Sequence, residues 1–100
     1  MNSTNCVEKL KVLADSTRLA VVNALYDAPK HVGELAKALE IEQSLLSHHL
    51  SILRKAGLVY AVRDGKAVLY QLAAGVSGIN NRRAINLGCC ELAFPALEIG

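Results

Sequence analysis

The sequence predicts a mainly α domain that carries one β-hairpin, a winged helix-turn-helix. Three observations predict it. Residues 32–39 and 43–56 both place apolar side chains at helical spacing, and only Glu40, Ile41 and Glu42 separate them. Residues 58–63 and 66–72 are rich in β-branched, aromatic and aliphatic side chains and flank Asp64-Gly65, a hairpin signal. One hundred residues hold a single core and leave no room for a second, catalytic domain.

In chain order, Cys6, Val7, Leu10, Leu13 and Ala14 share one arc at 100° per residue, so residues 5–14 form a short amphipathic helix with Cys6 in its apolar stripe. Asp15 and Ser16 are good N-cap residues for a second helix over 17–26, which Asp27-Ala28-Pro29 stops. The third helix, 32–39, buries Leu35, Ala36 and Leu39. The fourth, 43–56, ends at Gly57, which suits a left-handed cap. The hairpin follows directly, as a wing. Beyond Ala73 the signals weaken: Gly75, Ser77, Gly78, Asn80 and Asn81 argue for a loop, and residues 85–94 fit neither helix nor strand. The expected layout is a dimerisation helix within 1–14, the helix-turn-helix at 32–57, the wing at 58–72 and a C-terminal segment with a thiol site at 73–100.

The fourth helix has two different faces. With Gln43 at 0°, the side chains of Gln43, Ser44, Ser47, His48, Ser51, Arg54 and Lys55 fall within about 140°, while Leu45, Leu46, His49, Leu50, Ile52, Leu53 and Ala56 lie opposite. A merely solvated helix favours Glu and Lys pairs four apart, whereas this face carries no acid. Gln, Ser and His can address base edges in a major groove, and Arg54 and Lys55 suit phosphates. His48 is thus a candidate DNA contact. His49, on the apolar face, is expected to be a hydrogen-bonded packing residue. At the wing, a two-residue turn at Asp64-Gly65 would set Arg63 opposite Lys66, a like-charge pair that a phosphate would relieve.

Charge supports an anionic partner. The net charge is +2, but between Gln43 and Arg83 the bases Arg54, Lys55, Arg63, Lys66, Arg82 and Arg83 face Asp64 alone. The apolar fraction of 52% is high for so short a chain, which points to an apolar side covered by a second chain. No run reaches the roughly 20 apolar residues of a membrane span, and the N-terminus lacks signal-peptide order, so a cytoplasmic location is expected. Cys6, Cys89 and Cys90 cannot all pair within one chain, and in a reducing cytosol free thiols are expected. No acid/base pair or nucleophile–base arrangement is recognisable, so an enzyme is not expected.

From about Leu10 to Leu72 the chain resembles the ArsR/SmtB family of small metal-responsive repressors. The residues that carry the likeness are Leu13 to Leu19, Gly33-Glu34-Leu35-Ala36, Gln43-Ser44, Ser47-His48-His49-Leu50, Leu53, Gly57-Leu58-Val59, Arg63 to Lys66, and Tyr70. The resemblance implies a homodimer on an inverted-repeat DNA operator, bases met by Gln43, Ser44, Ser47 and His48, and release when an inducer binds. Two metal sites found within that family are absent. Ala36-Lys37-Ala38 stands where a cysteine pair would be, and no His or Asp follows Asp64 to build a C-terminal zinc site.

The remaining soft ligands are the thiols. Cys89 and Cys90, with Cys6, are candidate ligands for As(III) or Sb(III), since a three-thiolate set suits a trivalent metalloid better than a closed four-ligand zinc site. No permanent cofactor is expected. Two alternatives stay open: a redox or persulfide sensor on the same cysteines, and a DNA-binding module blind to ligands.

Overall fold

Helix boundaries in this protein have local chemical causes. The computed structural model describes residues 3–76 and 83–94. Helix α1 spans Ser3–Leu13, and α2, Ser16–Asp27, begins where the Asp15 carboxylate accepts the Thr17 and Arg18 amides at 2.9 and 3.0 Å. Extended Ala28, which precedes Pro29, ends it. Helix α3, Val32–Leu39, starts with the His31 amide donating to Glu34 Oε1 at 2.8 Å.

The turn between α3 and α4 (Gln43–Lys55) rests on Glu40, which is left-handed at φ 56°. The Ile41 amide reaches back to the Ala36 carbonyl at 3.1 Å, a Schellman closure built without glycine. Helix α4 ends in the same way with the residue the motif favours: Gly57 at φ 79°, Leu58 N–H to Leu53 O at 3.1 Å, and Gly57 N–H to Arg54 O at 3.0 Å. The two closures fix how α4 enters and leaves the core.

Strands β1 (Lys30–His31), β2 (Val59–Asp64) and β3 (Ala67–Leu72) form an antiparallel sheet in the order β1-β3-β2. The two residues of β1 carry no periodic signal; pairing with Leu69 and Tyr70 makes them a strand. The wing register differs from the sequence expectation. Asp64 pairs with Ala67 and Arg63 with Val68, so the turn residues are Gly65 and Lys66, and Arg63 does not stand opposite Lys66. Gly65 has φ 65°, and Glu40 is the one non-glycine at positive φ among the described residues. That pattern belongs to a type II′ turn, whose first central position takes glycine; a type I′ turn needs positive φ at both.

The C-terminal segment holds a second correction. Strands β4 (Ala84–Asn86) and β5 (Glu91–Ala93) form an antiparallel hairpin where neither strand nor helix was legible. Its turn is set by Gly88 at φ 94°, whose amide donates to Asn86 Oδ1 at 2.8 Å. Residues 77–81 of the expected loop, with Arg82, Pro95 and Glu98, lie outside the described residues.

The core joins the helices to both hairpins. Val21, Val22, Leu35, Leu46, Leu50, Leu53, Leu58 and Ile85 are fully buried. The apolar stripe of α1 is covered only in part: Leu13 is buried, while Val7 and Leu10 are 47% and 43% exposed.

Because a non-glycine residue at left-handed φ costs about 1 to 2 kcal/mol, Glu40→Gly is expected to stabilise the fold by roughly 1 kcal/mol after the added freedom of the unfolded chain is subtracted. Denaturant unfolding with an unchanged m-value checks this.

Candidate nucleic-acid interface and thiol cluster

Burial of Leu46, Leu50 and Leu53 orients α4, and the opposite arc follows from it. Gln43, Ser44, Ser47, His48, Ser51, Arg54 and Lys55 are all exposed, as are Arg63 and Lys66 at the wing tip. Arg54 and Lys55 occupy the last turn, where cations complement the helix dipole. The face is not wholly free of acid: Ser44 Oγ donates to Glu42 Oε1, 2.8 Å away, at the start of the helix. Leu45 belongs to the expected apolar arc, yet it is 47% exposed.

His49 is half-buried, with its Nδ1 3.2 Å from Arg18 NH1. This is the packed, hydrogen-bonded position its helical facing predicts. Its ring meets that of His48 edge to face, with centroids 5.7 Å apart.

A polar clip ties the wing to the start of α3. His31 Nε2 lies 2.9 Å from Asp64 Oδ2, and its Nδ1 lies 3.1 Å from Glu34 Oε1. The Asp64 bond, and then Glu34, hold the His31 imidazolium above the ordinary histidine range, against a desolvation that opposes it. Glu34 is lowered in turn, first by the His31 amide and then by the ring. Nothing at local spacing signals this clip, since His31 and Asp64 are 33 residues apart. Its one trace in the sequence is that Asp64 is the sole acid of the basic segment.

Arg83 leaves the basic surface on which the sequence places it. It donates to Asn23 Oδ1 and the Asn23 carbonyl at 2.8 and 2.7 Å, grips both oxygens of Asp27 at 2.7 and 3.1 Å, and covers the Tyr26 ring at 4.7 Å. The Arg83 guanidinium holds the Asp27 carboxyl below its usual range. These contacts pin the β4–β5 hairpin to α2.

The turn of that hairpin meets α1. Cys6 and Cys89 are joined through their sulfurs, with Cα atoms 6.0 Å apart, so the expectation of three free thiols is corrected for this pair. Packing of the first helix against the last hairpin supplies the proximity that a separation of 83 residues conceals. Cys90 is free and exposed; its Sγ lies 3.6 Å from that of Cys6 and 4.0 Å from that of Cys89. Lys9 Nζ donates to the Leu87 carbonyl at 3.3 Å, beside the cluster. The three sulfurs gather within one chain, so opening the Cys6–Cys89 link would leave three thiols within reach of one ion.

The sequence profile of the bacterial regulatory proteins of the arsR family matches residues 15–61. The chain is 46% identical over 66 residues to the HTH-type transcriptional repressor SmtB of Mycobacterium tuberculosis, a match covering 66% of this chain and 49% of SmtB. It thus spans about half the length of that curated relative. The structure of HlyU from Vibrio cholerae superposes with a TM-score of 0.70 at 41% identity, covering 73% of this chain and 79% of HlyU. A homodimeric winged helix-turn-helix DNA-binding domain from Mycobacterium bovis gives a TM-score of 0.68 at 28% identity, over 71% of this chain and 66% of that one.

The His31 clip sets a pH dependence. Its folded-state pKa stands above the unfolded value of about 6.5, so its stabilisation is fully present below that pH and is lost as the pH rises through the folded value. Unfolding free energy measured between pH 6 and pH 8 should therefore fall in the wild type, and His31→Asn should flatten that slope.

Proposed function

The chain belongs to the arsR family of bacterial regulatory proteins, and on that premise we propose that it is a sequence-specific transcriptional repressor that leaves its operator when its cysteines bind an inducer. The observation that carries the reading is the outward arc of α4, where seven polar side chains without an acid among them stand exposed on one face. Gln43, Ser44, Ser47 and His48 read bases, with Ser51 beside them. Arg54, Lys55, Arg63 and Lys66 take phosphates. The operator is an inverted repeat and the protein a homodimer. The uncovered Val7 and Leu10 of α1 support a second copy, and the similar domain from M. bovis is itself homodimeric.

As(III) or Sb(III) is the inducer this reading favours. Reduction of the Cys6–Cys89 link by a cellular thiol would restore three thiols, and arsenous acid would then take them as three As–S bonds with release of three waters. The convergence of three sulfurs, with no His, Asp or Glu grouped with them among the described residues, supports a soft trivalent ion over zinc. One observation favours the second reading, an oxidant or persulfide sensor on the same residues: Cys6 and Cys89 are joined in this structure.

The test uses a duplex that the protein itself selects from a random-sequence library. His48→Ala and Ser47→Ala should each weaken binding by about 1 to 3 kcal/mol without lowering the melting temperature. Arg63→Ala and Lys66→Ala should weaken selected and random DNA alike and reduce the salt slope. An unchanged salt slope removes the wing from the interface.

As(III) added to the reduced protein–duplex complex should dissociate it, and transcription from a promoter carrying that duplex should recover. Cys89→Ser and Cys90→Ser should abolish this response. Dissociation by peroxide or polysulfide but not by As(III) would select the second reading, and no response to either would leave a ligand-blind DNA-binding protein.

A further inference from the structure

We propose that Arg18 carries the state of the thiol cluster from α1 to α4, through its hydrogen bond with His49. The proposal rests on the reading that thiol ligation releases DNA, and it names the contact by which α4 would register that ligation.

Helices α1 and α4 face each other across a gap. Between them lies an open groove of about 400 Å³ lined by Glu8, Lys9, Val12, Ile52, Lys55 and Ala56. Arg18 spans the junction that packing leaves open. Its side chain is only 16% exposed. Its Nε donates at 2.6 Å to the carbonyl of Val12, in the last turn of α1, where carbonyls lack intrahelical partners. Its NH1 meets His49 Nδ1 at 3.2 Å on α4, and it stands 4.0 Å from Asp15, the cap of α2. One planar guanidinium thereby joins three helices, with donors in a fixed fork.

Helix α1 is anchored at the other end by the thiol cluster. Cys6 precedes Val12 by six residues, about 9 Å along a helix. Lys9, between them, holds the hairpin turn at the Leu87 carbonyl. Since Val7 and Leu10 are exposed within the chain, the side chains that fix α1 to its own domain, among those described, are concentrated at Cys6 and Lys9 on one side and at Val12 and Leu13 on the other. Drawing three sulfurs onto one centre changes the Cys6 anchorage and moves α1 as a rigid rod. Val12 O then shifts against Arg18.

The His49 end of the contact is chemically specific. Arginine has no acceptor, so Nδ1 is the accepting atom in this bond. Movement of the guanidinium alters that bond, and the His49 ring lies against His48 on the exposed arc. A turn of His48 is a change in what the DNA meets.

The experiment measures three quantities on the reduced full-length protein: As(III) binding by sulfur–arsenic absorption, affinity for the selected duplex with and without As(III), and the histidine-ring nitrogen resonances. In the wild type, As(III) should weaken duplex binding by about 5- to 150-fold, the usual span of allosteric coupling, and should shift the His49 Nδ1 resonance. Arg18→Gln and His49→Leu should still bind As(III) and should hold the duplex within about twofold of wild type before As(III) is added. Their release should shrink to less than about twofold. His49→Gln, whose carbonyl can accept from Arg18, should recover most of it.

Full release from His49→Leu with As(III) bound would overturn the relay while leaving the inducer reading intact. Loss of duplex binding by His49→Leu before As(III) is added would make the contact structural and would also overturn the proposal. Wild-type protein that binds As(III) without releasing DNA would overturn both, and the absorption signal separates that outcome from a failure to bind.

Discussion

Burial of Leu46, Leu50 and Leu53 leaves α4 no freedom in what it exposes. The three leucines are at zero exposure, each worth about 1.5 to 3 kcal/mol of burial, and together they lock the rotation of a thirteen-residue helix about its axis. A rotation of 100° would put Ser47 or Ser51 into the core at the cost of unsatisfied hydroxyls. The polar arc is therefore as well positioned as the core is well packed. Arrangement along the axis comes from the two Schellman closures, one at Glu40 and one at Gly57. Orientation and register of the exposed polar arc thus derive from apolar packing and backbone hydrogen bonds, and its side chains carry none of the load of positioning the helix.

Around that fixed helix the molecule uses long-range polar contacts where its small core gives least support. His31 joins the start of α3 to the wing, Arg83 pins the β4–β5 hairpin to α2, and Arg18 gathers α1, α2 and α4. Each lies at the margin of the core, where a guanidinium or imidazole can keep its stem against apolar neighbours and its head hydrated. The exposed pairs add little energy individually. Their value lies in direction, since a bidentate or two-sided contact defines an angle that a patch of leucines does not.

Most of this architecture was legible in the sequence because it rests on local rules. The facing of α4, the packed position of His49, the cap at Asp15 and the stop at Gly57 follow from periodicity and from preferences within a few residues. The wing turn was off by one residue because Asp64-Gly65 and Gly65-Lys66 are both acceptable turn pairs, and pairing of Asp64 with Ala67 chooses between them. The β4–β5 hairpin was hidden because its strands have three residues each, too few for an alternation to show. Arg83, an ordinary base in sequence, could be assigned to α2 only once Asn23, Tyr26 and Asp27 were seen on one helix face. The thiol cluster was legible as a set of residue types, while its closure within a single chain was not.

The Cys6–Cys89 link makes most of the polypeptide a closed ring. A cross-link spanning 83 residues restrains the unfolded chain by an amount that a chain-entropy estimate places at about 4 to 5 kcal/mol, comparable with the whole stability of a small domain. Opening the ring therefore alters more than the chemistry of two sulfurs. Ring and linear forms differ in how readily the segments between the two cysteines unfold, so one bond at the edge of the molecule bears on the stability of nearly all of it.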